Sequence, residues 1–401
     1  MLELQEALER ILMVIAPLPA ETVLSSAAAG RIVAAPVLSP IDLPPFDNSA
    51  MDGYAVRAAD LHAASASQPV RLKLAGQSVA GEALGRNLEP GTCARIFTGA
   101  ALPTGADAVV MQEDVRVEPE NSGEVVFSEP VQPWENTRLR GEDVKRGDQL
   151  LSAGDTVTVG AVALLAATGV KEMLAHRQPV VGLISTGSEL TEPGGKLEPG
   201  KIYESNRAML GPLLGRAGAL QKTYPLAPDT LEATKAALHT ALERCDGVIT
   251  TGGVSVGEHD YVKRAFEDIG GKMDFWKVAV KPGKPFVFGR WREKFLFGLP
   301  GNPVSALVTF LLLVRPALLK WQGAANLDLP AWPATLAEPL SNRADRRHFM
   351  RVIVDASGEV HSAGLQASHM LSSLAKANGL VDVPPQTTLP AGATVRVLRW
   401  D

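Results

Sequence analysis

At 401 residues the chain far exceeds the ~150 residues of one typical domain, so two to four domains are expected. Its 46% hydrophobic and 21% charged residues exclude disorder and supply several cores. Lys and Arg number 39 against 44 Asp and Glu, and this net charge of -5 disfavours nucleic acid as a partner.

The opening MLELQEALERILMVIA carries Glu3, Glu6 and Glu9 where a signal peptide would be basic and then apolar, so it reads as a helix. Leu4, Leu8, Ile11, Leu12 and Ile15 share one face that demands a partner surface, and Pro17 and Pro19 end the element. From Pro40 to about Trp134, short apolar runs such as VRLKLAG and EVVFSEP alternate with Gly and Pro turns, as in a β-rich unit inserted into another domain. A strand-like DTVTVG and an apolar helix, AVALLAATG, then rejoin the N-terminal segment. Between 178 and 325 strand, loop and helix repeat, from PVVGLIST to GVITTGG and KFLFG, which argues for a mostly parallel sheet covered by helices. Val304 to Val314 is too short and too interrupted for a membrane span and reads as a buried helix, so no membrane partner is expected. The last ~70 residues alternate apolar and polar, as in a small barrel or sandwich. Cys93 and Cys245 are too few for a disulfide framework, which favours a cytoplasmic location.

In open parallel sheets ligands sit beyond the carboxyl ends of the strands. Three strand-to-helix loops stand out there: Ser185-Thr186-Gly187-Ser188-Glu189, Thr250-Thr251-Gly252-Gly253-Val254-Ser255, and Gly298-Leu299-Pro300-Gly301-Asn302-Pro303. Backbone N–H groups in such glycine and hydroxyl loops can converge on a phosphate, although ordinary turns share the composition. Neither a P-loop nor a placed G-x-G-x-x-G is present. Asn302 is expected to cap the following helix, with Pro303 in its first turn.

WKVAVKPGKP places Lys277 and Lys281 four apart in a strand-like run, on one face, with Lys284 after a Pro-Gly turn; a cationic receiver of oxyanions or a solvated edge both fit. Glu189, Asp229, Glu258 and Asp260 fall in the same loops, where they could hold Mg²⁺ beside phosphate or cap helices. No His or Cys pair has the spacing of a zinc site. The β-rich segment adds PPFDNSAMDGYA, Thr98-Gly99-Ala100 and NTRLRGED, each of which alone is turn chemistry.

Together PPFDNSAMDGYAV, TGAALPTGADAVVMQED, NTRLRGEDV, STGSEL, TTGGVSVGEHDYVK, FWKVAVKPGKP and LPGNPVSA resemble the molybdopterin molybdenumtransferases, the molybdenum insertases that include the E domain of gephyrin. The resemblance runs from residue 1 to 401. It implies a multidomain α/β plus β fold: a discontinuous N-terminal domain (1–42 and 140–175), a β-rich inserted domain (43–139), a molybdopterin-adenylyltransferase-like α/β domain (176–326) and a small C-terminal β-barrel (327–401). It also implies a homodimer with an active site shared between subunits, and the amphipathic first helix is expected to bury its apolar face between them.

The reaction so implied takes adenylylated molybdopterin and molybdate as substrates, uses Mg²⁺, and releases AMP, with a molybdopterin adenylyltransferase as donor. The catalytic residues implied are Asp52, Thr98, Arg138 and Asp143 on the β-rich side, with Glu189, Asp260, Lys277 and Lys281 on the α/β side. Mg²⁺ would fall to Glu189 and Asp260. Substrate contacts would come from Ser185, Thr186, Gly187, Asp229, Gly252, Gly253, Ser255, Lys284, Pro300, Gly301, Asn302 and Pro303. Where STGSEL has Ser188 the family often has an acid, which weakens a metal role at that position. An adenylyltransferase or a gephyrin-like scaffold are the competing readings. The first would need little beyond the α/β domain, and the second would use a linker and an extra domain not seen here.

Overall fold

The computed structural model describes residues 1–82, 84–118, 123–254 and 261–400. Its centre is a six-stranded sheet in the order Leu220–Thr223, Val180–Ser185, Gly247–Thr251, Lys294–Leu299, Pro285–Trp291, Lys272–Lys277. The first four strands pair in parallel. The last two are added by antiparallel pairing. Successive residues of the continuous apolar strands serve opposite cores: Val248 packs on one face and Ile249 on the other. This is why these strands lack polar alternation. Val180–Ser185 has the next strand of this sheet, Leu220–Thr223, on one side and the one after, Gly247–Thr251, on the other, so the strand order reverses there, where open α/β sheets bind ligands.

The apolar helix runs from Pro303 to Trp321 through the core. Pro303 suits its first turn, and its middle, Phe310–Val314, is a π-turn just before Pro316. A proline lacks the N–H that an α-turn needs, and the wider turn accommodates that loss. The first helix, Leu4–Val14, lays Ala7, Ile11 and Ile15 onto the same core. Ala7, Ile11 and Ile15 therefore pack within the chain, a correction to the expectation that this face lies between subunits.

Ala20–Leu24 pairs with Glu172–His176, and Val37–Leu38 with Gln149–Leu151. The expected DTVTVG strand is reduced to one bridge, Ile32 with Thr156. Between these paired segments lies the β-rich unit, a six-stranded sheet in the order Ala108–Met111, Gly53–Val56, Thr92–Ile96, Val70–Ser78, Glu124–Phe127, Val115–Val117. Tyr54, Leu61, Leu72 and Phe127 fill its core. At the C-terminus Arg347–Val354, Glu359–Ser362, Ala331–Leu336, Thr394–Leu398 and Gly379–Val383 pair in succession, and the last pairs back with the first. That closure makes a small barrel and removes the free edges.

Candidate active site

The carboxyl ends of three adjacent strands, Val180–Ser185, Gly247–Thr251 and Lys294–Leu299, open onto a cavity of about 610 Å³. Of the expected residues, Thr186, Glu189, Gly252, Gly253, Pro300, Gly301, Asn302 and Pro303 line it. The paired glycines are required by their backbone. Both have positive φ, +84° and +64°, and a Cβ on Gly252 would lie 2.5 Å from the Thr186 carbonyl oxygen. Only glycine takes that path cheaply, and it lets the turn lie directly on the first loop. Ser255, Glu258 and Asp260 lie outside the described residues.

A buried polar network that includes the lining residues Glu204 and Thr251 fixes the cavity walls. Ser185 donates its single hydroxyl proton to Glu204 Oε1 at 2.9 Å, so Thr251 is the donor in its 2.8 Å contact with Ser185 Oγ. Glu204, 4% exposed, also accepts from the Arg207 N–H at 2.8 Å and pairs with the Arg207 guanidinium. Arg207 in turn donates to the Tyr224 carbonyl and to Glu192. Removing one member of such a buried pair typically costs about 3–5 kcal/mol, because the other is left uncompensated.

Glu189 stands exposed at the rim with no side-chain partner among the described residues. Its carboxylate lies over Gly187, where a Cβ would sit only 2.7 Å from an oxygen. Asp229 does not line the cavity: its carboxylate accepts the Ser188 N–H, and Ser188 Oγ accepts the Asp229 N–H in return. It holds the first loop in place, and Thr230 rather than Asp229 caps the helix Leu231–Arg244. Asn302 precedes its helix without capping it, and its amide donates to Ser368 Oγ at 3.0 Å.

The lysines are arranged differently from the expectation. The strand ends at Lys277, and Val280–Lys281 belongs to another sheet, paired with Arg347–Val354 of the barrel. Val278, Ala279 and Val280 are all buried, so the alternation that would set Lys277 and Lys281 on one face does not run through. Lys277 Nζ lies 4.3 Å from the Trp276 ring centroid. Lys277, Lys281 and Lys284 do not line the cavity.

The β-rich residues form a separate group. Asp52 Oδ1 accepts both the backbone N–H and the hydroxyl of Thr98 at 2.8 Å. Those bonds hold its carboxyl below the usual carboxylate range. Arg138 and Asp143 are exposed, with no side-chain partner among the described residues. None of the four reaches the cavity.

Several cavity residues were not among the expected site residues: Ile202, Tyr203, Glu204, Ser205, Asn206, His369 and Leu371, the last two in LQASHMLSSLAKANGL, a run that resembles the family's last domain. The acid-to-base spacing from Glu204 to Arg207 at a helix start was the available clue for the first group. His369 comes from the barrel on a loop that the buried Arg351 secures by donating to the Leu365 and Ala367 carbonyls and to Ser373 Oγ.

Family models match the chain in three stretches: "MoeA N-terminal region (domain I and II)" over residues 2–169, "Probable molybdopterin binding domain" over 182–320, and "MoeA C-terminal region (domain IV)" over 333–400. The molybdopterin molybdenumtransferase of Haemophilus influenzae is 42% identical over 92% of this chain and 91% of its own. Molybdopterin molybdenumtransferase 2 of Mycobacterium tuberculosis is 41% identical, covering 95% and 94%. A crystal structure of the molybdopterin biosynthesis MoeA protein from Pyrococcus horikoshii superimposes with a TM-score of 0.86 at 32% identity, covering 100% of both chains. With relatives this similar over nearly all its length, the chain belongs to the molybdopterin molybdenumtransferase family.

Proposed function

We propose that the chain inserts molybdenum from molybdate into adenylylated molybdopterin during molybdenum cofactor biosynthesis. Water adds to phosphorus as the bridging P–O bond breaks, and AMP leaves. The observation that carries this reading is the cavity at the switch point, whose lining residues, apart from His369 and Leu371 of the C-terminal region, lie within the stretch matching the molybdopterin-binding model. Its loops present backbone N–H groups and hydroxyls, the donors a phosphate takes.

The free carboxylate of Glu189, given room by Gly187, suits Mg²⁺, which takes one or two carboxylates and completes its shell with water and phosphate oxygens. Glu189 would hold the ion, and the ion would neutralise charge on the phosphates. Asp260 is assigned to the same task from its sequence position. No Lys or Arg lines the cavity among the described residues; molybdate is assigned to Lys277 and Lys281 from their sequence position, in a segment that leads through Lys284 into the lining residue Pro285.

The four β-rich residues complete the site from a second copy of the chain. Two observations support this: on their own chain they do not reach the cavity, and exposed Phe46, Met51, Trp134 and Leu139 lie close to them in sequence. Apolar side chains exposed together are a usual mark of an interface. The donor is a molybdopterin adenylyltransferase, the class of enzyme that makes the adenylyl link. A cytoplasmic setting accords with two buried, unpaired cysteines.

Incubation with adenylylated molybdopterin, molybdate and Mg²⁺ tests the reading, with AMP and molybdenum-loaded product measured together. Equimolar AMP and product are expected. Intact substrate after prolonged incubation would refute the assigned reaction.

A further inference from the structure

His369 lines the cavity from the barrel side and is exposed. Its imidazole has no hydrogen-bond or ion-pair partner among the described residues. The loop that carries it is nevertheless held on both sides. Asn302 Nδ2 donates to Ser368 Oγ at 3.0 Å, and the Val304 N–H donates to the Ser368 carbonyl at 3.1 Å. From below, the fully buried Arg351 donates to the Leu365 and Ala367 carbonyls. The residue next to His369 is thus fastened to the third cavity loop, while the ring itself stays uncommitted.

The acids that line the cavity are Glu189 and Glu204, and no Lys or Arg lines it among the described residues. Glu204 is paired with Arg207, and the Tyr203 hydroxyl donates to the Gly195 carbonyl at 3.0 Å. His369 is therefore the one described lining side chain able to carry a positive charge. The elements packed against its loop bring few other charges. Pro303–Thr309 has none, Leu371–Lys376 has only Lys376 at its far end, and Arg347–Val354 presents Arg351 to the loop carbonyls. Lys284 precedes the lining residue Pro285.

We infer that His369 is a substrate-contacting residue that binds a phosphate of the ligand through an imidazolium N–H. This rests on the reading of the cavity as the site of an adenylylated pterin, whose linked phosphates are negatively charged at neutral pH. The loops supply neutral backbone donors, and His369 supplies the cation. A hydrogen bond from an ionised donor to a phosphate is roughly twice as strong as a neutral one. Histidine ordinarily changes charge between pH 5 and 8, so the contact strengthens as the pH falls through that range.

The test is calorimetric titration of the full-length protein with ADP-ribose at pH 6 and at pH 8.5. This probe carries adenosine and a pyrophosphate esterified at both ends, so its own charge is constant over that range. The wild-type chain should bind it about tenfold more tightly at pH 6. His369→Gln, which is never charged, should lose about that much affinity at pH 6 and most of the pH dependence. His369→Lys, charged throughout, should bind tightly at both. Melting temperatures should hardly move, because the side chain is exposed. The same pH dependence in wild type and His369→Gln would overturn the proposal, as would wild-type binding that does not change with pH. Either result leaves the assignment of the cavity standing and removes only the role of His369. A wild-type chain that binds the probe at neither pH removes that assignment and the proposal together.

Discussion

Asp52 and Glu189 illustrate two ways of keeping a carboxylate ready. Asp52 is preset by two bonds from Thr98, whereas Glu189 has no side-chain partner among the described residues. Asp52→Asn keeps an oxygen for Thr98, and Glu189→Gln is isosteric, so neither should unfold the chain. Each should lower AMP release by ~10²-fold or more if its charge serves the reaction. Wild-type rates at all Mg²⁺ concentrations would return both to structural roles. His348 makes a prediction in pH. It is 3% exposed, both ring nitrogens lack a partner among the described residues, and burial, then Lys281, Arg351 and Arg346, push it from 6.5 down to about 4. The unfolded chain takes up this proton below 6.5 and the folded chain only near 4. Stability should therefore fall as the pH drops through that window and level off below it. His348→Phe should flatten this part of the pH-dependence of thermal melting. An identical slope would show that the histidine is not the group titrating.

At the scale of elements, the glycine turn is the most demanding piece of the site. Gly253→Ala would place a Cβ 2.9 Å from both Thr186 Oγ1 and Val262 Cγ2 at a positive φ. The left-handed backbone alone costs an alanine about 1–2 kcal/mol. A lower melting temperature and weaker pterin binding should appear together, and an unaltered variant would mean that the turn is not as tight as described. These loops were legible in the sequence because strand ends followed by Gly, Ser and Thr report a local backbone requirement. The walls contributed by Glu204, Asn206 and His369 were not, since a crossover segment and a barrel loop are brought to the cavity by tertiary packing. The lysine segment shows the same limit. Alternating residues in VAVK read as one strand, but burial of Val278, Ala279 and Val280 together breaks the period. The barrel instead recruits Val280–Lys281 into its own sheet.

Over the whole molecule, the alternation of strands and helices revealed the central sheet, and the apolar N-terminal face demanded a partner that was expected in a second subunit. Only the structure shows that this partner is the helix Pro303–Trp321 of the same chain. Ile11→Ala should therefore cost about 2–5 kcal/mol as a core truncation and leave the oligomeric state unchanged. Dissociation into monomers on sedimentation would place that face between subunits after all. The argument for two copies rests instead on the separation of Asp52, Thr98, Arg138 and Asp143 from the cavity. Co-expression of Asp52→Asn chains with Glu189→Gln chains tests it most directly. If each site combines the β-rich group of one copy with the cavity of the other, mixed dimers carry one intact site, and AMP release should recover to about a quarter of wild type. Activity of the mixture no higher than that of either variant alone would contradict a site shared between two copies.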